Sequence, residues 1–340
     1  MHDFYSDTKT KPTAAMRQVV LDCEVGDEQK GEDPTTNLLC ARVADLLGKE
    51  AAVFLPSGSM CNEIAIKAHT NPGDEIICDR ACHILNFETG APAALSGVMV
   101  RTLDGASGLY TADQVREAIR PASRHAPKSA LLCAEQTANL GGGAVWPVEQ
   151  LNAVALVAKD AGLATHMDGA RLINAAVKSG MPAKVHAENF DSVWIDFTKG
   201  LGAPVGAVLA GSEEFIDRAW RLKQQMGGAM RQSGIVASMC LYALDHHVDR
   251  LSEDHDLAAD LGRKISEMDL VASVMPVETN IIIFNLKDQA PMAADIAAQL
   301  EDAGVIVGAF GPRRIRVVTH LGVNAASGRA LIEGLGGILG

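Results

Sequence analysis

Residues 191–211 read DSVWIDFTKGLGAPVGAVLAG, in which a turn containing a single lysine separates two apolar runs. Each run has the length and composition of a buried strand. Runs of this kind, with helical patterns between most of them, occur at 51–55, 74–78, 97–103, 129–135, 164–167, 192–197 and 205–211. Strands that alternate with helices predict an α/β fold whose mostly parallel, seven-stranded sheet is covered on both faces.

A second unit follows the helical region at 213–268. Its segments TNIIIFNL (279–286), MAADIAAQLEDAG (292–304), VIVGAF (305–310) and RIRVVTH (314–320) predict closely spaced strands around a helix. We therefore expect a large domain over residues 1–240 and a small C-terminal α/β domain over residues 241–340. No flexible linker separates them, so a helical connection is expected.

The composition limits the partners and the compartment. The net charge of -12 and the lack of a Lys/Arg stripe argue against nucleic-acid binding and favour a small-molecule partner. The seven cysteines are an odd number without a CxxC spacing, which favours a reducing cytoplasm. The N-terminus MHDFYSDTKTKP lacks an apolar leader, and no window resembles a membrane span. These features predict a cytoplasmic protein without a membrane partner.

Three groups follow predicted strands at their carboxyl ends, where open parallel sheets bind ligands. They are the turn Ser57-Gly58-Ser59, which opens a helix, then Asp168, and then Lys199 of the opening stretch. Each alone has a simpler explanation as a helix cap, a turn residue or a lysine that extends to water. Together they are a phosphate cup, a partner for a ring nitrogen and an amine. The combination predicts pyridoxal 5'-phosphate as the cofactor.

The chain as a whole resembles the low-specificity L-threonine aldolase family of fold type I pyridoxal phosphate-dependent enzymes. The blocks that carry the resemblance span nearly all of the chain, in family order: YSDTKTKPT, VGDEQKGEDPT, GKEAAVFLPSGSMCNEIA, ACHILNFETG, HMDGARLINAA, TKGLGAPVGAVLAG, MGGAMRQSG and RIRVVTHLGV. The resemblance implies a large cofactor domain and a small C-terminal domain. It also implies a homotetramer, built from dimers whose active sites use residues from both partners.

The resemblance implies roles for the residues that match the family's cofactor site. A lysine attaches the cofactor, a carboxylate pairs with its ring nitrogen, an arginine lies near its phenolic oxygen, and a histidine stacks on the ring. A serine-glycine turn holds the phosphate, and a further arginine reaches the phosphate across the dimer. In the same order these are Lys199, Asp168, Arg171, His83, the turn Ser57, Gly58 and Ser59, and Arg231.

The resemblance also implies the substrate site and the reaction. Arg316 and Ser6 match groups that bind the substrate α-carboxylate, although Arg313 and Arg314 are chemically able to do so as well. The implied reaction is retro-aldol cleavage of a β-hydroxy-α-amino acid to glycine and an aldehyde. Either His83 or a water molecule serves as the base.

Two departures from the family pattern bear on the substrate. Ala138 stands where the family usually has a histidine beside the substrate hydroxyl, and Lys30 stands where it usually has a tyrosine. Loss of an imidazole enlarges a pocket, and an ammonium group attracts anions. We therefore expect a preference for larger or anionic β-substituents, as in phenylserine and 3-hydroxyaspartate.

Other interpretations of the same residues are another enzyme on this scaffold, such as a β-eliminating lyase or a transaminase, and a cofactor-binding protein without activity. The segment DHHVDRLSEDHD (245–256) is rich in metal-ligand residue types but has no second ligand block, so we interpret it as a solvated helix face. No metal site is predicted.

Overall fold

Three sheets and thirteen α-helices make up the fold in a computed structural model, which describes residues 1–340. The strands are β1 (His2–Asp3), β2 (Ala51–Leu55), β3 (Glu75–Asp79), β4 (Met99–Leu103), β5 (Ser129–Glu135), β6 (Ala164–Asp168), β7 (Ser192–Asp196), β8 (Ala207–Gly211), β9 (Val271–Val274), β10 (Ile281–Leu286), β11 (Val305–Ile306), β12 (Gly308–Ala309) and β13 (Arg314–Val318).

The α-helices cover the sheets and connect their strands. They are α1 (Ala14–Gln18), α2 (Pro34–Leu47), α3 (Gly58–His69), α4 (His83–Asn86), α5 (Ala112–Ala118), α6 (Val148–Asp160), α7 (Leu172–Ser179), α8 (Ala183–Ala187), α9 (Glu213–Gln225), α10 (Gly234–His246), α11 (Leu251–Ser266), α12 (Ala293–Asp302) and α13 (Ala325–Leu339). Short 3-10 helices lie at Asp7–Lys9, Val19–Leu21 and Glu28–Lys30, and a π-helical turn lies at Pro92–Ser96.

The large sheet has the strand order β2-β8-β7-β6-β5-β3-β4. Strands β3 to β7 pair in parallel, and only β8 runs against its neighbours β2 and β7. Every residue of β3, β5, β7 and β8 is buried, because helices cover both faces of the sheet. The predicted mostly parallel, seven-stranded sheet is confirmed.

The carboxyl ends of β2, β6 and β7 lie along one edge of this sheet, because β2 and β7 are both antiparallel to β8 and therefore parallel to each other. Helix α3 begins directly after β2, at Gly58. Asp168 is the last residue of β6, and Lys199 follows three residues after the end of β7. The fold therefore collects the three predicted groups at one edge.

The C-terminal sheet is antiparallel, with the order β12-β13-β10-β9, and packs against α11, α12 and α13. The predicted strand VIVGAF is divided in two. Its first half, β11, pairs in parallel with the N-terminal strand β1, while its second half, β12, pairs with β13. The sequence pattern did not predict α13, whose four glycines lower its helix propensity. Its residues Leu331, Leu335 and Leu339 pack one turn apart in the second core.

Two main hydrophobic cores match the two expected units, but their limits differ from the expected ones. The core of the large sheet extends along the chain as far as Leu251. The core of the small sheet contains Phe4 of the N-terminal segment. We propose a domain boundary near residue 251, with the N-terminal strand β1 and Phe4 assigned to the small domain.

The interpretation of 245–256 as a solvated helix face is correct for only half of the segment, the exposed residues Asp245, His246, Asp249, Ser252, Glu253 and Asp256. His247, Asp254 and His255 are buried. His247 bonds to the carbonyl of Leu201 at 2.7 Å, and His255 bonds to Asn174 of α7 at 3.2 Å. His247, at the end of α10, thus contacts the turn that carries Lys199, and His255 of α11 contacts α7, and neither long-range contact has a local sequence signal. No helix of the chain combines the length and apolar character of a membrane span.

Candidate active site

Lys199 lies in the turn between β7 and β8, and its side chain is 14% exposed. Asp196 organises this turn, since its carboxylate accepts hydrogen bonds from the backbone and hydroxyl of Thr198 and pairs with the Lys199 ammonium. The ammonium nitrogen lies 5.6 Å from the centroid of the Trp194 ring. The lysine therefore stays at the sheet edge and does not extend into water.

The start of α3 packs against the same tryptophan. A Cβ atom on Gly58 would come within 2.2 Å of Trp194 Cη2, so this position requires glycine. Ser57 caps the helix by accepting a hydrogen bond from the backbone of Met60 at 3.3 Å. The first N–H groups of α3 thus point out of the sheet edge beside Lys199, an arrangement that binds anions.

Asp168 is buried, and its two carboxylate oxygens accept hydrogen bonds from Asn62 Nδ2 at 2.9 Å and from the backbone of Ala170 at 3.1 Å. Burial raises its pKa, His83 opposes that rise, and the carboxyl group of Glu88 adds to it. Neither hydrogen-bond donor is charged. A buried carboxylate with only neutral donors is suited to a cationic partner.

Asn62 holds Asp168 in place. Its side-chain oxygen accepts hydrogen bonds from Trp194 Nε1 at 2.7 Å and from His166 Nε2 at 3.1 Å, which directs its amide nitrogen toward Asp168 and Glu88. Asn62 carries no motif of its own in the sequence. Only its position, one helical turn beyond Ser57, Gly58 and Ser59, indicated in the sequence that Asn62 lies near the site.

His83 begins the short helix α4 and lies beside Asp168. Its Nδ1 is 2.8 Å from Glu88 Oε1, and its backbone N–H donates to Glu135 Oε2 at 3.3 Å. One side-chain donor or acceptor atom from each of His83, Glu88 and Asp168 lies within 4.8 Å of the others. Burial lowers the pKa of His83, but the bond to Glu88 and the charge of Asp168 outweigh this, and its pKa is raised.

Arg171 forms a buried, two-pronged ion pair with Asp7 of the N-terminal segment. Its Nε and one terminal nitrogen each donate to an Asp7 oxygen at 2.7 Å, and Asn280 donates to the same carboxylate at 3.0 Å. Burial alone would raise the pKa of Asp7, but Arg171 holds it well below its usual value. Arg171 therefore ties the N-terminal segment to the site.

Arg316 lies on β13 and is buried. Its terminal nitrogens donate to Asn139 Oδ1 at 2.9 Å and to the carbonyl of Tyr5 at 3.1 Å, whereas its Nε has no partner. Burial, together with the charge of Arg171, lowers the pKa of Arg316 to about 10. An unpaired donor on a buried cation is suited to a carboxylate ligand.

Arg313 and Arg314, the other candidates for this role, bond elsewhere. Arg313 donates to backbone carbonyls of residues 288–291, and Arg314, at the exposed first position of β13, donates to Asn285. Ser6 is buried one residue beyond Tyr5, and its hydroxyl bonds to Thr8 at 2.9 Å. The segment that carries Ser6 is thus held directly against Arg316.

Lys30 and Arg231 do not join these groups within one chain. Lys30 is exposed at the end of a short 3-10 helix, and its side chain makes no hydrogen bond or ion pair. The side chain of Arg231 is 62% exposed and pairs with Asp27 at 2.8 Å. The two residues share one surface region, since Glu28 bonds to the Arg231 carbonyl. Their expected roles stay predictions that require a partner subunit.

Ala138 is buried and bonds through its backbone to Ala144 at 3.0 Å. The turns that contain Gly108 and Gly141 close around it, since a Cβ on either glycine would lie within 3.1 Å of the Ala138 methyl. The cavity beside it has a volume of 10 Å³, about enough for one water molecule. Little free space therefore adjoins this methyl group.

Comparison with known proteins agrees with this geometry. Residues 3–289 match the beta-eliminating lyase family. Probable low-specificity L-threonine aldolase 2 of Arabidopsis thaliana is 40% identical over 94% of this chain and 91% of that protein. The low specificity L-threonine aldolase of Escherichia coli K12 is 38% identical over 95% of both chains. A threonine aldolase structure from Leishmania major superimposes with a TM-score of 0.84 over 100% of both chains, at 20% identity.

The fold and the lysine-carboxylate site define a fold type I, pyridoxal phosphate-dependent lyase. The chain belongs to the low-specificity L-threonine aldolase family, whose members are carbon–carbon lyases. The expected fold, cofactor and enzyme class are thereby confirmed. The interpretation as a cofactor-binding protein without activity is not compatible with this membership.

Proposed function

We propose that this enzyme cleaves L-threonine, L-allo-threonine and related β-hydroxy-α-amino acids to glycine and an aldehyde. The observation that carries the proposal is the convergence of Lys199, Asp168 and His83 at one sheet edge. Arg316, which has an unpaired Nε, is bonded to the carbonyl of Tyr5 in the N-terminal segment. The names of the relatives from Arabidopsis thaliana and Escherichia coli support the same substrate class.

The residues at the sheet edge fit pyridoxal phosphate. The buried Asp168 lacks a charged donor, so a protonated ring nitrogen would complete it. The open start of α3 at Ser57, Gly58 and Ser59 offers N–H groups and hydroxyls for a phosphate. Lys199 offers the amine. When bound, the cofactor supplies an aldehyde for that amine and a ring that accepts electrons from the substrate Cα.

Each protein group then has a distinct task. Arg316 binds the substrate carboxylate through its unpaired Nε, and Ser6 lies on the segment beside it. This clamp orients the amino acid and so selects the Cα–Cβ bond for cleavage. Asp168 stabilises positive charge on the cofactor ring. Arg171, which Asp7 holds firmly, supplies the positive potential expected near the phenolic oxygen.

His83 is the group best placed to take the hydroxyl proton. Glu88 accepts a hydrogen bond from Nδ1, which leaves the lone pair of Nε2 available as the base. Ala138 stands in place of the family histidine, and His83 has an atom within 4.8 Å of Asp168 and Glu88. A water molecule held by His83 remains the alternative base.

We also propose a preference for larger or anionic β-substituents. Support comes from the charge of Lys30, which is free to meet an anion because its side chain has no partner within the chain. Since Lys30 is exposed, the proposal requires that a second subunit present it to the site. Ala138 contributes less than expected, because the surrounding turns leave only a small cavity.

The assembly and the compartment are proposals as well. The exposed positions of Lys30 and Arg231 support a dimer in which one subunit completes the site of another, and we propose that two such dimers form the homotetramer that the family resemblance implies. The seven cysteines are free, and five are buried, which supports a cytoplasmic location.

Product analysis with threonine and the Lys199→Ala variant tests the function. We expect glycine and acetaldehyde in equal amounts from the wild type. Lys199→Ala should lose both turnover and the visible absorption of the lysine-bound cofactor, because it removes the amine to which the cofactor attaches. Ammonia and a keto acid as products would favour a β-eliminating lyase or a transaminase instead. An exposed lysine changed in the same way, Lys287→Ala, is the matched control.

A further inference from the structure

A buried pair of glutamates behind His83 has no assigned task. Glu63 of α3 and Glu88 are 3% and 5% exposed, and their carboxyl groups face each other within hydrogen-bonding reach. Glu88 Oε1 accepts hydrogen bonds from His83 Nδ1 at 2.8 Å and from Asn62 at 2.7 Å. Glu88 Oε2 and both oxygens of Glu63 receive no hydrogen bond from any protein group.

Unpaired buried oxygens are costly, and three adjoining carboxylates in the interior would repel one another. Glu63, Glu88 and Asp168 form such a group, with His83 as the nearest cation. One proton placed between Glu63 and Glu88 removes a charge and also supplies the missing donor. Glu88 is the better placed of the two to stay ionised, because its Oε1 already accepts two hydrogen bonds, whereas neither oxygen of Glu63 accepts any.

We propose that Glu63 is a positioning residue that holds a proton and donates it in a hydrogen bond to Glu88, which in turn fixes the tautomer of His83. The neutral acid completes the hydrogen bonds of Glu88 without adding negative charge. Glu88 thereby accepts from Nδ1 of the imidazole and leaves Nε2 free for the substrate hydroxyl. This role rests on the proposed function of His83 in cleavage.

The surroundings of the pair are consistent with a proton on Glu63. Burial and the neighbouring Glu88 raise the pKa of Glu63 to about 9. The titratable groups around the pair lie on α3, α4, β5 and β6, and they are Cys61, His83, Cys133, Glu135, His166 and Asp168. Among them Glu135 is the other acid with a strongly raised pKa, of about 8, because it is buried.

Infrared spectra and histidine NMR of the cofactor-free chain and of the holoenzyme test the proposal. At pH 7 the wild type should show the carbonyl band of a protonated carboxylic acid, and Glu63→Gln should remove one component of it. The pKa and tautomer of His83 should not change in Glu63→Gln, because the amide donates to Glu88 as the acid does. Glu63→Leu offers no donor and should shift the pKa of His83 upward.

Glu117→Gln, on an exposed position of α5, is the control for a loss of one glutamate, and Glu135→Gln identifies the contribution of the second buried acid. An acid band that Glu63→Gln leaves intact would overturn the proposal. So would a fall in the pKa of His83 in that variant, since it would mean that Glu63 is ionised in the wild type. If the variants do not fold, the wild-type band still decides, because it must contain a component that titrates near pH 9.

The two proposals fail in different ways. The infrared band and the His83 tautomer do not depend on turnover, so they test Glu63 even if threonine is not a substrate. Conversely, normal threonine cleavage without a Glu63 acid band would refute only the role of Glu63. The pH profile of kcat connects the two proposals, because it reports the pKa of His83 during turnover. The profile should shift along the pH axis in Glu63→Leu and stay unchanged in Glu63→Gln.

Discussion

At the scale of single residues, the site contains buried charged groups, of which some form complete ion pairs and others keep an unpaired hydrogen-bonding atom. Asp7 and Arg171 satisfy each other with two short hydrogen bonds, whereas Arg316 keeps one donor free. The difference follows from their surroundings. Asp7 approaches Arg171 from the N-terminal segment, while only neutral oxygens of Asn139 and Tyr5 approach Arg316. The Asp7–Arg171 pair therefore fixes the N-terminal segment, whereas the Arg316 cation keeps a donor for a ligand.

Replacement of Arg316 tests its role as the carboxylate clamp. Arg316→Lys keeps the charge but loses the planar fork, so we expect KM for threonine to rise about 10-fold or more, as the loss of a charged hydrogen bond worth about 1.5–3 kcal/mol predicts. Steady-state kinetics measure the change. Arg314→Lys, at the exposed first position of the same strand, should leave KM unchanged. An unchanged KM in Arg316→Lys would contradict the assignment.

The charge of Lys30 is tested by exchanging it for the family's tyrosine. Lys30→Tyr should lower the cleavage rate for 3-hydroxyaspartate relative to threonine, because the anionic β-substituent loses its partner. Rates for threonine, phenylserine and 3-hydroxyaspartate are compared in both enzymes. An identical order of preference in the two would refute the proposal. Lys128→Tyr is a control for the loss of one positive charge.

At the scale of elements, α3 is the helix on which the site depends. Its first turn presents N–H groups at the sheet edge, its second carries Asn62 and Glu63, and its glycine at position 58 lets it approach Trp194 closely. Trp194 donates a hydrogen bond to Asn62 at 2.7 Å, and Asn62 donates to Asp168. The packing of Gly58 against Trp194 therefore affects the orientation of Asp168. One helix therefore connects the phosphate cup to the carboxylate.

Gly58→Ala tests this coupling. The added methyl would lie 2.2 Å from the Trp194 ring, so the ring must move and the Asn62 bond to Asp168 must weaken. We expect a loss of about 1–3 kcal/mol in the free energy of unfolding, as overpacking typically costs, and faster release of the cofactor. Thermal unfolding and cofactor dissociation measure both.

Gly336→Ala is the matched control for this variant. Gly336 lies in α13, and a Cβ there meets no atom within 4 Å. The exchange should stabilise the chain by up to about 1 kcal/mol, the difference in helix propensity between the two residues. Equal stability of Gly58→Ala and the wild type would show that Trp194 adjusts without cost.

At the scale of the whole molecule, the N-terminal segment joins the two units. Phe4 packs in the core of the small sheet, Asp7 pairs with Arg171 beside the large sheet, and the Tyr5 carbonyl accepts from Arg316. The site therefore lies where the two units and this segment meet. Its buried acids also affect the stability of the whole chain, because Glu63 and Glu135 bind protons in the folded state that they release when the chain unfolds at neutral pH.

The stability of the cofactor-free chain should fall as the pH rises from about 7 to about 8. Glu63, Glu135 and His83 all have a folded-state pKa above the ordinary value, so the folded chain binds more protons than the unfolded chain in this range. By linkage, stability then decreases with pH. Scanning calorimetry at each pH measures the Tm, and Glu63→Gln should flatten the decrease. A Tm that rises across this range would contradict the assignment.

Local patterns were sufficient for much of this protein. Buried strands and amphipathic helices have periods that a short window reveals, so the limits of β2 and β5 and the mostly parallel, seven-stranded sheet were predictable, but the order of its strands was not. Helix α13 was missed because glycines obscure its propensity, and β1 because two residues carry no period. The residue types at strand ends indicated the cofactor, since parallel strands present their carboxyl ends at one edge.

The sequence by itself determined that Lys199, Asp168 and the Ser57 turn share a sheet edge, because their placement follows from strand direction alone. Only the tertiary structure decided what surrounds them. The bonds from Asn62 to Asp168 and from Asp7 to Arg171, and the approach of Glu63 to Glu88, join segments that are distant along the chain. Such contacts depend on how helices and loops pack over the sheet, and no local period or composition records that packing.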